Sequence, residues 1–167
     1  MPASAGAVNA TRRERPKRSW RANGRRSRGL PLRVGVVDTG PLYAAVDRDD
    51  QDDDRCIDVL QSGGFRIVIP ALVLAETSYL VGTRLGPRVE ARFLKTLVGI
   101  DIRSPQGDDW TRIGELVDRY ANFPLGGIDA SVIALAERLH TDLVVTLDRR
   151  HFAAVRSKEG KAFRLLP

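Results

Sequence analysis

VGVVDTGPLYAAVD, Val34–Asp47, is the stretch on which the fold turns. Val34–Val37 is a short apolar, mostly β-branched run bounded by turn residues, which reads as a buried strand. It ends in a carboxylate, Asp38. Thr39, Gly40 and Pro41 then turn the chain, Pro41 suits the first position of a helix, and Leu42–Val46 continues as a short helix. A strand that feeds straight into a helix is the first half of a βαβ unit. The acid at its end has two readings, a cap for the following helix or a ligand for a cation.

The same alternation runs outward from there. Residues 52–61 place Cys56, Ile57 and Leu60 at helical spacing, and Gly63-Gly64 ends that helix. RIVIP, Arg66–Pro70, reads as a second strand. Residues 71–85 form a helix stopped by Gly86-Pro87, and residues 89–98 another. IDIRSP, Ile100–Pro105, alternates like a strand. Residues 108–121 put Trp110, Ile113, Leu116, Val117 and Tyr120 on one helical face, and residues 128–140 make the next helix. DLVVTLD, Asp142–Asp148, is a strand, and FRLLP, Phe163–Pro167, a final edge strand. Strands alternating with helices imply right-handed crossovers. The expected fold is therefore a three-layer α/β/α domain with a mostly parallel central sheet. In such folds ligands bind beyond the carboxyl ends of the strands.

The length, 167 residues, fits one domain, and 43% hydrophobic with 29% charged residues is an ordinary globular composition. No window approaches the roughly 20 apolar residues that span a bilayer. One cysteine, Cys56, excludes an internal disulfide and fits a reducing, cytoplasmic setting, where it reads as a small buried hydrophobe. One cysteine with two histidines, His140 and His151, does not build a usual zinc site.

The net charge of +6 is unevenly placed. Of 27 Lys and Arg and 21 Asp and Glu, ten basic and one acidic residue lie within 1–33, leaving 17 basic and 20 acidic beyond. The basicity belongs to the extension, and the rest is slightly acidic. Residues 1–32 lack apolar periodicity and are expected to be a disordered extension, with the domain spanning 33–167. The extension reads as sequence upstream of a functional start near Arg33, as a basic arm for nucleic acid, or as a targeting segment. The first reading is preferred. Arg25-Arg26 is no twin-arginine signal, because Arg28, Arg33 and Asp38 break up the residues where its apolar region would have to lie.

Four acids stand out by position. Asp38 and Asp148 each end a strand. Glu76 lies within the helix from Ala71, one turn from Leu72, Tyr79 and Leu80, and so on its apolar face. A carboxylate there is costly without a partner, and the helix offers no basic residue before Arg84. Asp129 opens the helix after LGGI. Each also reads as ordinary structure: Asp38 as a cap, Asp129 as an N-cap, Asp148 as a turn residue, Glu76 as paired from elsewhere in the fold. Together they suit one sheet edge. Four oxygen ligands without Cys or His select a hard divalent cation, Mg²⁺ or Mn²⁺. Close carboxylates would otherwise repel and protonate. Such ions can activate water and stabilise attack on a phosphodiester. Arg149 and Arg150, beside the fourth acid, are candidates for phosphate contacts. His140, at a helix end, reads as a favourable C-terminal residue, and His151 as a loop or packing residue.

VVDTGPLYAAVDRDD, IPALVLAETSYLV, PLGGIDASVIALAERL and VVTLDRRHF, in this order and spacing, resemble the PIN-domain family. The likeness is to the VapC-type toxin ribonucleases of bacterial toxin–antitoxin modules, and it spans roughly Arg33 to Pro167. The resemblance implies that Asp38, Glu76, Asp129 and Asp148 are the family's four catalytic and metal-binding acids. It also matches Thr39 and Thr146 to hydroxyls that support the first and fourth of them. It further implies a Mg²⁺- or Mn²⁺-dependent endoribonuclease acting on structured RNA, a homodimer, and a VapB-type antitoxin partner. Relatives often carry a further acid after the fourth, where this chain reads Arg149-Arg150-His151.

Two other readings remain open on the sequence. One is a PIN nuclease of RNA processing or decay without an antitoxin. The other is an inert module that binds RNA or protein. A dinucleotide fold is disfavoured, because DTGPL lacks the G-x-G-x-x-G spacing.

Overall fold

In the computed structural model, which describes residues 33–123 and 125–167, five parallel strands form one sheet in the order β3-β2-β1-β4-β5. These are β1 (Val34–Val37), β2 (Arg66–Pro70), β3 (Asp101–Arg103), β4 (Leu143–Val145) and β5 (Arg164–Leu166). The expectations for residues 1–32 lie outside the described residues. β1 is central: Val36 stands opposite Val68 of β2 on one side and Val144 of β4 on the other. All of β4, and β1 from Gly35 onward, are buried residue after residue, as they must be when both faces of a parallel sheet are covered. Gly35 answers a close approach: a Cβ there would stand 2.5 Å from the Phe65 ring.

The connections are helical: α1 (Thr39–Ala44), α2 (Asp53–Gln61), α3 (Ala71–Leu85), α4 (Pro87–Thr96), α5 (Gly107–Arg119), α6 (Gly127–Arg138) and α7 (Arg149–Ala154). α6 lies against β1, β2 and β4 and is flanked by α3 and α5. Its residues Ala130–Ala136 are all buried, which explains their nearly unbroken apolar run. Thr77 faces inward on α3 with Val73 and Val81, its hydroxyl satisfied by the Val73 carbonyl at 2.8 Å. Between α5 and α6, Arg112 grips Glu137 through two hydrogen bonds of 2.8 and 2.9 Å, and Glu137 also accepts the Lys158 N–H at 2.6 Å.

Several local expectations change. Pro41 is the third residue of α1, not the first, because Asp38 caps the helix directly and it begins at Thr39. The α5 stripe is narrower than its pattern: Ile113 and Leu116 are buried, whereas Trp110 and Val117 stay exposed beside the contact with α6. Tyr79 is 68% exposed, so the apolar face of α3 is the Val73–Thr77–Val81 stripe rather than one through Tyr79. The helix α7 has no counterpart in the sequence-based expectation.

The expected alternation and parallel sheet are present. Strand order places β2 beside β1 on one side and β4 beside it on the other, so the connections leave the central strand in opposite directions. At such a switch point the two following loops part and a crevice opens at the carboxyl ends of the strands. Among the described residues no helix is long and apolar enough to cross a membrane.

Candidate active site

The crevice beyond β1 and β4 is an open cleft of about 590 Å³, lined by Asp38, Thr39, Gly40, Glu76, Asp129, Leu147, Asp148, Arg149 and Arg150. At roughly 30 Å³ per water, it has room for a backbone phosphate together with a hydrated ion. The four acids and both arginines singled out in the sequence therefore share one cavity. They reach it from four different elements.

Asp38 follows β1, and its N–H bonds the Val145 carbonyl of β4 at 2.9 Å, which pins it between the two strand ends. Its side chain is only 5% exposed. Oδ1 accepts the Thr39 N–H at 2.7 Å, so it caps α1, and Oδ2 accepts the Thr146 hydroxyl at 2.8 Å. Burial pushes this carboxyl up to about 6; the Thr146 and Thr39 bonds oppose the rise, while the charges of Asp129 and Glu76 add to it.

Thr146 is fully buried and bridges the first and fourth acids. Its hydroxyl donates to Asp38 and accepts the Asp148 N–H at 2.9 Å. Thr39 works on the other side, its hydroxyl donating to Glu76 Oε2 at 2.6 Å. Each matched hydroxyl thus holds a carboxylate.

Asp129 is not the N-cap of α6; Gly126 is, and Asp129 is the third helical residue. A backbone hydrogen bond from Gly126 reaches its carboxylate, the arrangement an acid at that position makes in a capping box. Burial raises its pKa, the Gly126 bond and His151 oppose that, and Asp148 and Glu76 add to it. Asp148 is a helix cap rather than a simple turn residue. It opens α7, Oδ1 accepting the His151 N–H at 2.9 Å, and Oδ2 lies 2.6 Å from His151 Nδ1. His151 has the packing role expected of it, meeting the Phe123 ring edge-on. Its bond to the fourth acid is a further role that sequence reasoning missed. An i, i+3 Asp–His pair at the start of a short helix is the signal that could have shown it. His140 lies just past α6 in the left-handed region, φ 51°. Arg149 donates to the Pro167 carbonyl, and Arg150 is exposed at the rim.

Among the described residues no three Asp, Glu, His or Cys side chains stand as a finished metal cage. The acids are parted instead, each on its own hydroxyl, amide or imidazole donor. The donor set is nonetheless what a hard cation takes: carboxylate oxygens at one cleft, two of them with raised pKa values because their charges are buried near one another.

Known proteins match this geometry. Residues 35–158 match the family described as PIN domain. The ribonuclease VapC26 of Mycobacterium tuberculosis is 31% identical over 134 residues, which is 79% of this chain and 99% of that protein. Among solved structures, VapC20 of the same organism, described as a sarcin-ricin loop cleaving toxin, superposes with a TM-score of 0.66 at 18% identity, covering 72% of this chain and 94% of its own. VapBC2 from Rickettsia felis, bound to a DNA fragment from its promoter, gives 0.62 at 17% identity, covering 80% and 99%. The chain belongs to the PIN-domain family. Within that family, its similarity is to the VapC ribonucleases.

Proposed function

We propose that this chain is a divalent-cation-dependent endoribonuclease, the toxin of a toxin–antitoxin module acting in the cytoplasm. The observation that carries the reading is the convergence of Asp38, Glu76, Asp129 and Asp148 on one cleft at the switch point of the sheet. The similarity to ribonuclease VapC26 over nearly the whole length of that protein supports it. An inert binding module is disfavoured, because all four acids face the cleft and hydroxyls hold two of them.

Asp38, Glu76, Asp129 and Asp148 would hold Mg²⁺ or Mn²⁺, directly or through water. A bound cation would lower the pKa of an attacking water and neutralise charge developing on the phosphate. The chain's own residues supply the rest. Thr146 and Thr39 orient Asp38 and Glu76. Arg150, with Arg149, lies where a backbone phosphate would enter and draws the RNA into an otherwise acidic cleft. We take residues 33–167 as the nuclease unit, with 1–32 a basic extension outside it. The partners are an RNA substrate, a second copy of the chain, and an antitoxin like the VapB component of the structural neighbours.

The test is brief induction in cells followed by sequencing of newly formed RNA ends, with Asp38→Asn as control. The reading expects recurrent cleavage sites from the parent and none from the variant. Equal patterns from both would contradict it.

A further inference from the structure

His151 does more at the cleft than a helix cap requires. Capping α7 takes only the bond from the His151 N–H to Asp148 Oδ1. The second oxygen is held by the ring of the same residue, with Nδ1 at 2.6 Å from Oδ2. The Asp148 side chain is 42% exposed and would otherwise be free to swing into solvent. The ring in turn is fixed from the far side. It meets the Phe123 ring edge-on, with centroids 5.0 Å apart and planes at 89°. Phe123 belongs to the turn between α5 and α6, three residues before Gly126, whose N–H meets the Asp129 carboxylate. The imidazole is also near enough to Asp129 for the two charges to interact. One side chain therefore ties the segment carrying the third acid to the helix opened by the fourth.

We propose that His151 is a positioning residue: it fixes the rotamer of Asp148 for the cation, with Phe123 fixing the imidazole. The proposal rests on the cation reading of the cleft. Its physical basis is that a ligand pre-oriented by a neighbouring donor loses less freedom when the ion arrives; losing such a neighbour typically weakens metal affinity about 10–100-fold.

Three variants separate this role from mere packing. His151→Phe keeps a ring against Phe123 but deletes the donor. His151→Ala deletes both. His151→Asn sets an amide N–H where Nδ1 stands and restores the donor. Mn²⁺ binding to each purified protein is measured by calorimetry, beside thermal midpoints without metal and with Asp38→Asn as reference. The expected result is about tenfold weaker binding for Phe, similar loss for Ala, and recovery to within about threefold of the parent for Asn. Should the Phe variant fail to fold, Ala against Asn makes the same comparison. Parent-like binding by Phe or Ala, or no recovery by Asn, overturns the proposal while the cation reading stands. Parent-like binding by Asp38→Asn overturns the cation reading and this proposal with it.

Discussion

Asp38 sits where burial and neighbouring acids make its charge costly, and that cost is visible as a carboxyl raised to about 6 from 3.8. For an acid with a raised folded pKa, the folded state holds its proton more tightly than the unfolded chain does. Stability from this group is full below pH 3.8 and is lost as pH rises through about 6. Asp38→Asn should therefore stabilise the metal-free protein at pH 7, by up to about 3 kcal/mol at roughly 1.4 kcal/mol per pKa unit. The gain should vanish near pH 4, and denaturant titrations at the two pH values measure it. The substitution suits the site, since the amide oxygen can take the Thr39 N–H and the amide nitrogen can donate to the Thr146 hydroxyl. On sequence alone Asp38 stands between cap and ligand. The structure shows one oxygen capping and the other on Thr146, a bond between residues 108 positions apart that no local pattern reveals.

At the scale of elements, legibility in the sequence tracks burial. β1, β2, β4 and α3 have hydrophobic runs with sharp stops, and the pattern of α3 matches its observed bounds, Ala71–Leu85. α7 is silent in the sequence because six residues with one buried side chain, Phe152, carry no periodicity; its existence depends on the Asp148 cap and on packing against β5. The α5 pattern overstates its buried face because Trp110 and Val117 match the spacing but lie beyond the contact with α6. α5 and α6 are joined by another feature that periodicity does not reveal, the Arg112–Glu137 pair, whose side chains are 12% and 14% exposed. Arg112→Ala strands a largely buried carboxylate that also holds the Lys158 N–H. It should cost about 3 kcal/mol, measured by chemical denaturation, because removing one member of a buried pair leaves the other charge uncompensated. A loss below roughly 0.5 kcal/mol would mean that the pair behaves like a surface salt bridge.

Across the whole molecule, the site follows from topology more than from any motif. Central β1 and its neighbour β4 end at the same edge, and the acids that follow them meet because the connections diverge there. Glu76 and Asp129 enter the same cleft from the helices α3 and α6, which pack on each other. Strand and helix order are readable from the sequence; which oxygen meets which donor is not, because those contacts are set by packing across 37 and 108 residues. The charge division is likewise a property of the whole chain, with the acidic balance carried by the folded part and the basic one by the extension. The central claim is that the four-acid cleft cleaves RNA with the help of a divalent cation. The most direct test is cleavage of cellular RNA by the purified full chain at millimolar Mn²⁺, beside Asp129→Asn confirmed as folded by its thermal midpoint. The account predicts cleavage by the parent that stops on chelation and falls by at least about 100-fold in the variant, the scale on which losing an essential charge-stabilising group acts. Equal cleavage by both proteins, or cleavage that persists in chelator, would contradict it.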